Sequence, residues 1–125
     1  MGNPLALIIE DDKKLAFIFA QALKLAEFEI EIVRDGNLAL ARLAVTTPEL
    51  VVLDLHLPGI SGRDILYQIR SSSRLANTRV IVTTADAALA DMLANEADLA
   101  LLKPIGPGQL RDFAMRLRPR DTVFD

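Results

Sequence analysis

Four short apolar runs, Leu5 to Ile9, Leu50 to Leu53, Val80 to Val82 and Leu99 to Leu102, punctuate a chain whose remaining stretches carry helical periodicity. Runs of this length bounded by polar residues read as strands covered on both faces, since a sheet buried on both sides has no wet face to alternate with. Glu29 to Val33 alternates polar and apolar residues instead, as a strand with one drier face does near the edge of a sheet. After Asp11-Asp12, residues Leu15, Ile18, Phe19, Ala22, Leu23 and Ala26 form a stripe at helical spacing wide enough to lie on a sheet. Further helices are predicted around Ala39, Leu40 and Leu43, around Ile65, Leu66 and Ile69, over Leu89, Met92, Leu93 and Ala97, and over Leu110, Phe113, Ala114 and Leu117. Strict strand–helix alternation requires right-handed crossovers and a parallel sheet with helices on both faces, a doubly wound α/β fold.

At 125 residues the chain suits one domain, and 51% hydrophobic with 25% charged residues is enough apolar material for a core. No linker-like tract interrupts it, so one domain is expected over residues 1–119, with 120–125 as a C-terminal tail. The formal charge of −3 and the lack of a basic, aromatic-rich motif argue against direct nucleic-acid binding. The longest apolar run, Leu15 to Ala20, has six residues, against the roughly 20 of a membrane-spanning helix. With no Cys and no cleavable leader before Leu5, a cytoplasmic location is expected.

In doubly wound sheets functional residues collect at the carboxyl ends of the strands. Those ends read Glu10-Asp11-Asp12, Asp54, Thr83-Thr84 and Lys103-Pro104. In the strand order 2-1-3-4-5 the first and third strands are neighbours, so Asp11-Asp12 and Asp54 converge and repel one another unless protons or a cation intervene. Oxygen ligands without Cys favour a hard ion such as Mg²⁺. Lys103 and the threonine hydroxyls add the donors that a transferring phosphoryl group needs, and a carboxylate in such a pocket can itself be the nucleophile. Taken singly, Asp11-Asp12 could equally cap the first helix, either threonine could be a plain strand residue, and His56 reads more readily as a loop residue than as a metal ligand.

Taken in order along nearly the whole chain, these motifs resemble the receiver domains of two-component response regulators. The acidic doublet Asp11-Asp12, the segment Asp54-Leu55-His56-Leu57-Pro58-Gly59-Ile60-Ser61-Gly62, the pair Thr84-Ala85 and the pair Lys103-Pro104 carry the resemblance. It implies a flavodoxin-like sheet of order 2-1-3-4-5 with five helices, and Asp54 as acceptor of a phosphoryl group from a histidine kinase or histidine phosphotransfer protein. It further implies Mg²⁺ held directly by Asp12, Asp54 and the His56 carbonyl, with Asp11 acting through water. Thr84 and Lys103 would contact phosphoryl oxygens, Lys103-Pro104 would be cis, and His56 and Asp86 would flank the group and set its lifetime. Such a domain is a switch and not an enzyme beyond weak self-phosphorylation and self-dephosphorylation. One departure concerns output: Ala100 stands where the family usually carries an aromatic ring. A homodimer through the face of the fourth helix, fifth strand and fifth helix is one expected output, and a phosphorylation-independent docking module is the alternative function.

Overall fold

The computed structural model of the protein describes residues 2–119, so the tail expected at 120–125 lies outside the described residues. The elements run β1 (Leu5–Ile9), α1 (Lys13–Leu25), β2 (Glu29–Val33), α2 (Gly36–Val45), β3 (Leu50–Asp54), α3 (Gly62–Ser71), a 3-10 turn (Ser73–Leu75), β4 (Arg79–Thr84), α4 (Ala87–Leu93), β5 (Leu99–Leu102) and α5 (Pro107–Leu117). The strands form one parallel sheet in the order β2-β1-β3-β4-β5, the doubly wound, flavodoxin-like arrangement expected.

Strand alternation divides the core in two. Ala6, Ile8, Leu50, Val52, Ile81 and Leu101 face one layer with Phe19 and Leu23 of α1 and Leu110 and Ala114 of α5. Leu7, Ile9, Val51, Leu53, Val80 and Val82 face the other, with Leu43 of α2, Ile65 and Ile69 of α3 and Leu93 of α4. Burial on both faces is why β1, β3 and β4 read as unbroken apolar runs, whereas edge strand β2 keeps exposed Glu29 and Ile32.

Several boundaries differ from the sequence reading. The α1 stripe rotates so that Ala16 and Ala20 are buried while Ile18 is exposed beside Phe17. Small alanines let α1 approach the sheet closely, and larger side chains on the neighbouring positions are pushed outward. In the fourth helix Met92 is exposed and Ala97, itself buried, lies beyond the helix after an exposed turn, because α4 ends at Leu93. The 3-10 turn has no periodic signal of its own; Leu75 plugs the core there.

The amino edge of β4 and β5 is held by Asp98. Its carboxylate accepts from Val80 N at 2.7 Å, Arg70 Nη2 at 2.9 Å and Arg79 Nη1 at 3.1 Å. Arg70 also donates to the Thr78 carbonyl at 2.9 Å and the Glu96 carbonyl at 2.7 Å, joining α3 to the chain on both sides of that edge. Burial works to raise the Asp98 pKa, but the Val80 amide and the two arginines outweigh it and hold the carboxyl below its ordinary value. A depressed folded-state pKa contributes stability above the unfolded-state value and loses it as pH falls through the folded one. Asp98→Asn is therefore expected to cost about 1–2 kcal/mol near neutral pH. In urea melts across pH, the gap between the two proteins should close once acid protonates Asp98.

Candidate functional site at the carboxyl edge

The sheet register builds the site. Ile9 pairs with Leu53, so the next residues, Glu10 and Asp54, leave adjacent strands side by side; Asp54 in turn pairs with Thr83. Both acids are buried, Glu10 at 1% and Asp54 at 3% exposure. Ion pairs supply the compensation that such burial demands: Lys103, just beyond β5, brings Nζ to 3.2 Å from Glu10 Oε1 and 3.4 Å from Asp54 Oδ1. Glu10 Oε2 also accepts from Asp12 N at 3.1 Å, and Asp54 Oδ1 from His56 N at 3.1 Å.

Burial, reinforced by the Asp54 charge, raises the Glu10 pKa to about 7, although the Asp12 amide and Lys103 oppose the shift. Burial likewise works against the Lys103 ammonium, but Asp54 and Glu10 more than compensate, and its pKa lies above the ordinary value. One ammonium thus stands against two buried carboxylates. Glu10, Asp11 and Asp54 can each place one oxygen within 4.8 Å of the others, a hard-donor set with more negative charge than Lys103 neutralises.

The sequence reading placed Asp12 among the metal ligands; the structure places it elsewhere. Its side chain is the N-cap of α1, accepting from Leu15 N at 3.0 Å, and the position that converges with Asp11 and Asp54 belongs to Glu10. The reason is where the strand ends. Glu10 continues the line of β1 into the sheet's interior, whereas by Asp12 the chain has left the sheet and turned into the helix. The usable signal was Glu10's position directly after Ile9.

Thr84 closes the far side. Its fully buried Oγ1 accepts from Asp86 N at 3.0 Å and lies 2.9 Å from His56 Nε2, within hydrogen-bond distance of the imidazole. Thr83 Oγ1 is also buried but has no hydrogen-bond partner among the described residues. His56 is exposed, as a loop residue should be. Asp86 caps α4 through Ala88 N and Leu89 N, which occupies the carboxylate expected to flank the site. The Lys103-Pro104 bond is cis. Ala100 of β5 packs half-buried against the core. Of the apolar set on α4 and β5, Ala90, Leu93 and Leu101 are core, leaving Ala87, Ala88, Met92 and Leu102 exposed.

Two glycines let the loop after Asp54 lie flat. A Cβ on Gly62 would stand 2.4 Å from the Asp54 carbonyl oxygen and 2.6 Å from Leu55 Cα, and one on Gly36 would stand 2.2 Å from the Ile60 carbonyl oxygen.

The parallel sheet thus gathers two buried acids, a lysine and a threonine hydroxyl at its carboxyl edge, an arrangement it shares with a known family. The sequence matches the response regulator receiver domain over residues 6–114, and the chain belongs to that family. It is 36% identical over 106 residues to the sensory transduction protein RegX3 of Mycobacterium tuberculosis, and 32% identical over 107 residues to the DNA-binding response regulator MtrA of Mycobacterium leprae. Each match covers 83% of this chain but 46% of the relative, so the chain spans about half the length of these proteins. Among solved structures, the chemotaxis response regulator CheY4 of Vibrio cholerae superposes with a TM-score of 0.83 at 21% identity, covering 92% of this chain and 98% of that one. The signal receiver domain of a histidine kinase from Syntrophus aciditrophicus gives 0.81 at 26% identity, covering 91% and 89%. Proteins of this family are phosphoacceptor switches in two-component signalling rather than enzymes in the usual sense. No helix among the described residues is long and apolar enough to cross a membrane.

Gly62→Ala tests the local geometry. The added methyl meets backbone that cannot rotate away, so a loss of about 1–3 kcal/mol in denaturant unfolding is expected, with the amide signals of Asp54 and Leu55 among those most shifted in NMR spectra.

Proposed function

We propose that the chain is a phosphoacceptor receiver domain, spanning residues 1–119, in which Asp54 takes a phosphoryl group from a phosphohistidine of a sensor kinase or phosphotransfer protein. The observation that carries this reading is the convergence of two buried carboxylates, Glu10 and Asp54, with that of exposed Asp11 beside a single ammonium. Structural ion pairing alone would balance the charges; a site meant to gather a cation and then an anion leaves them unbalanced.

Glu10, Asp11, Asp54 and the His56 carbonyl would hold Mg²⁺, which when bound neutralises charge on the phosphoryl oxygens. An Asp54 carboxylate oxygen attacks phosphorus, the P–N bond to the donor imidazole breaks, and the electron pair leaves with the histidine. Lys103, already facing Asp54, pairs with one phosphoryl oxygen, and its raised pKa keeps it charged for that role. Thr84 donates its hydroxyl proton to another, which requires exchanging its present neighbour, His56 Nε2. The imidazole therefore competes with the product for the Thr84 hydroxyl and influences the lifetime of the aspartyl phosphate. Output runs from Thr84 through Ala85 and Asp86 into the exposed side of α4 and β5, where Ala87, Ala88, Met92 and Leu102 are the residues available to a second copy or another partner. A cytoplasmic setting fits the proposed donor.

With a small phosphodonor and Mg²⁺, intact mass should rise by one phosphoryl group, and Asp54→Asn should abolish the gain while retaining the fold. No gain in the parent protein would favour the phosphorylation-independent docking module, which Ala100 also suits. Glu10→Gln and Asp11→Asn should each slow labelling by about tenfold or more. Asp12→Ala should leave labelling near the parent rate and instead lower stability by about 0.5–2 kcal/mol, the usual effect of losing an N-cap. His56→Ala should alter the half-life of the phosphorylated protein more than its loading rate; an unchanged half-life overturns the competition.

A further inference from the structure

The opposite edge of the sheet holds a second charged cavity. It has a volume of about 680 Å³ and lies where the amino ends of β4 and β5 meet the end of α5. That size falls within the roughly 300–1,000 Å³ range of small-molecule sites. Four arginines line it, Arg70, Arg79, Arg116 and Arg118, against two carboxylates, Glu49 and Asp98.

The four cations are not equivalent. Arg70 is saturated by the Thr78 and Glu96 carbonyls and Asp98, and Arg79 shares Asp98. Arg116 lies over the Phe113 ring at 5.5 Å. Neither Arg116 nor Arg118 has a carboxylate within ion-pair distance among the described residues. Arg118 Nε is moreover buried without a hydrogen-bond partner among those residues. Burying a guanidinium nitrogen unpaired is costly, and such a group calls for a bound partner.

We infer that this cavity binds a phosphate ester of nucleotide size, its phosphate held by Arg116 and Arg118. Guanidinium forks match phosphate oxygens two at a time. Four arginines against two carboxylates leave a formal excess of two positive charges, the complement of one phosphate monoester dianion. A lone phosphate would fill a small part of the volume. The lining also includes Leu117, Pro119 and the Asn77 amide, apolar surface beside a group that both donates and accepts, suited to a flat heteroaromatic group. The cavity shares no residue with the carboxyl-edge acids, and the inference stands independently of phosphoryl transfer at Asp54.

The test is calorimetric titration of the whole chain with AMP, ATP and inorganic pyrophosphate, at near-physiological salt with EDTA present so that metal-bridged binding at the acids is suppressed. Saturable one-to-one binding of AMP or ATP in the micromolar range is expected, weakened about tenfold or more by Arg118→Ala and by Arg116→Ala and unchanged by Asp54→Asn. Arg118→Lys, which keeps the charge but not the fork, should fall between, and circular dichroism should show all variants folded. Three results would overturn the inference: no saturable binding of any probe, binding that survives the double substitution of Arg116 and Arg118, or pyrophosphate binding as tightly as the nucleotides. Loss of nucleotide binding in Asp54→Asn would place the ligand at the other edge and refute the assignment equally.

Discussion

Glu10 and Asp54 sit side by side in the interior because β1 and β3 are neighbours in register, and everything else at the carboxyl edge answers to that adjacency. Two buried carboxylates with oxygens within 4.8 Å of one another cannot both remain charged unless positive charge reaches them. Lys103 is delivered from the end of β5, on the far side of β4, and its Nζ reaches both acids. The strand order, the length of β5 and the turn into Pro104 are all conditions for that delivery. Placing the acids at the ends of central strands makes the site electrostatically demanding, and the lysine just beyond edge strand β5 answers that demand.

The fold was legible because its signals are local and repeated. Apolar runs such as Val51 to Leu53 cannot be covered on both faces except in a parallel sheet with helices above and below, and the alternation of segments then leaves few topologies. Asp54, Thr84 and Lys103 were legible for the same reason, each marking where an apolar run stops. Whether Glu10 or Asp12 converges with Asp54 was not legible, because an acid at a strand end and an acid at a helix start look alike in a run of three; only the register of Glu10 against Asp54 separates them. Ile18 and Ala16 exchanged places for a similar reason. Helical spacing fixes the width of a stripe but not its centre, and the close approach allowed by alanine selected the centre. The contact between His56 and Thr84 spans 28 residues and had no local signal.

The two edges of the sheet carry opposite chemistry. At the carboxyl edge, acids outnumber the one lysine; at the amino edge, arginines outnumber Glu49 and Asp98. With a net formal charge of only −3, the chain owes this separation to placement rather than to composition. The central strands β1, β3 and β4 between them are apolar and buried along most of their length, so little water lies between the two fields.

Arg70 and Asp98 fasten the chain just before β5, while Thr84 fastens it just after β4, through the Asp86 amide and through its own carbonyl, which accepts from Lys103 N at 2.7 Å. The stretch between, with the seven-residue α4 at its centre, is moored at both ends and rests on the sheet mainly through Ala90, Leu93 and Ala97. A segment fixed in this way can gain or lose residues without disturbing the strands it joins. Within one inherited scaffold, α4 is therefore where lineages can diverge in length and surface while the chemistry of the acidic edge stays constant.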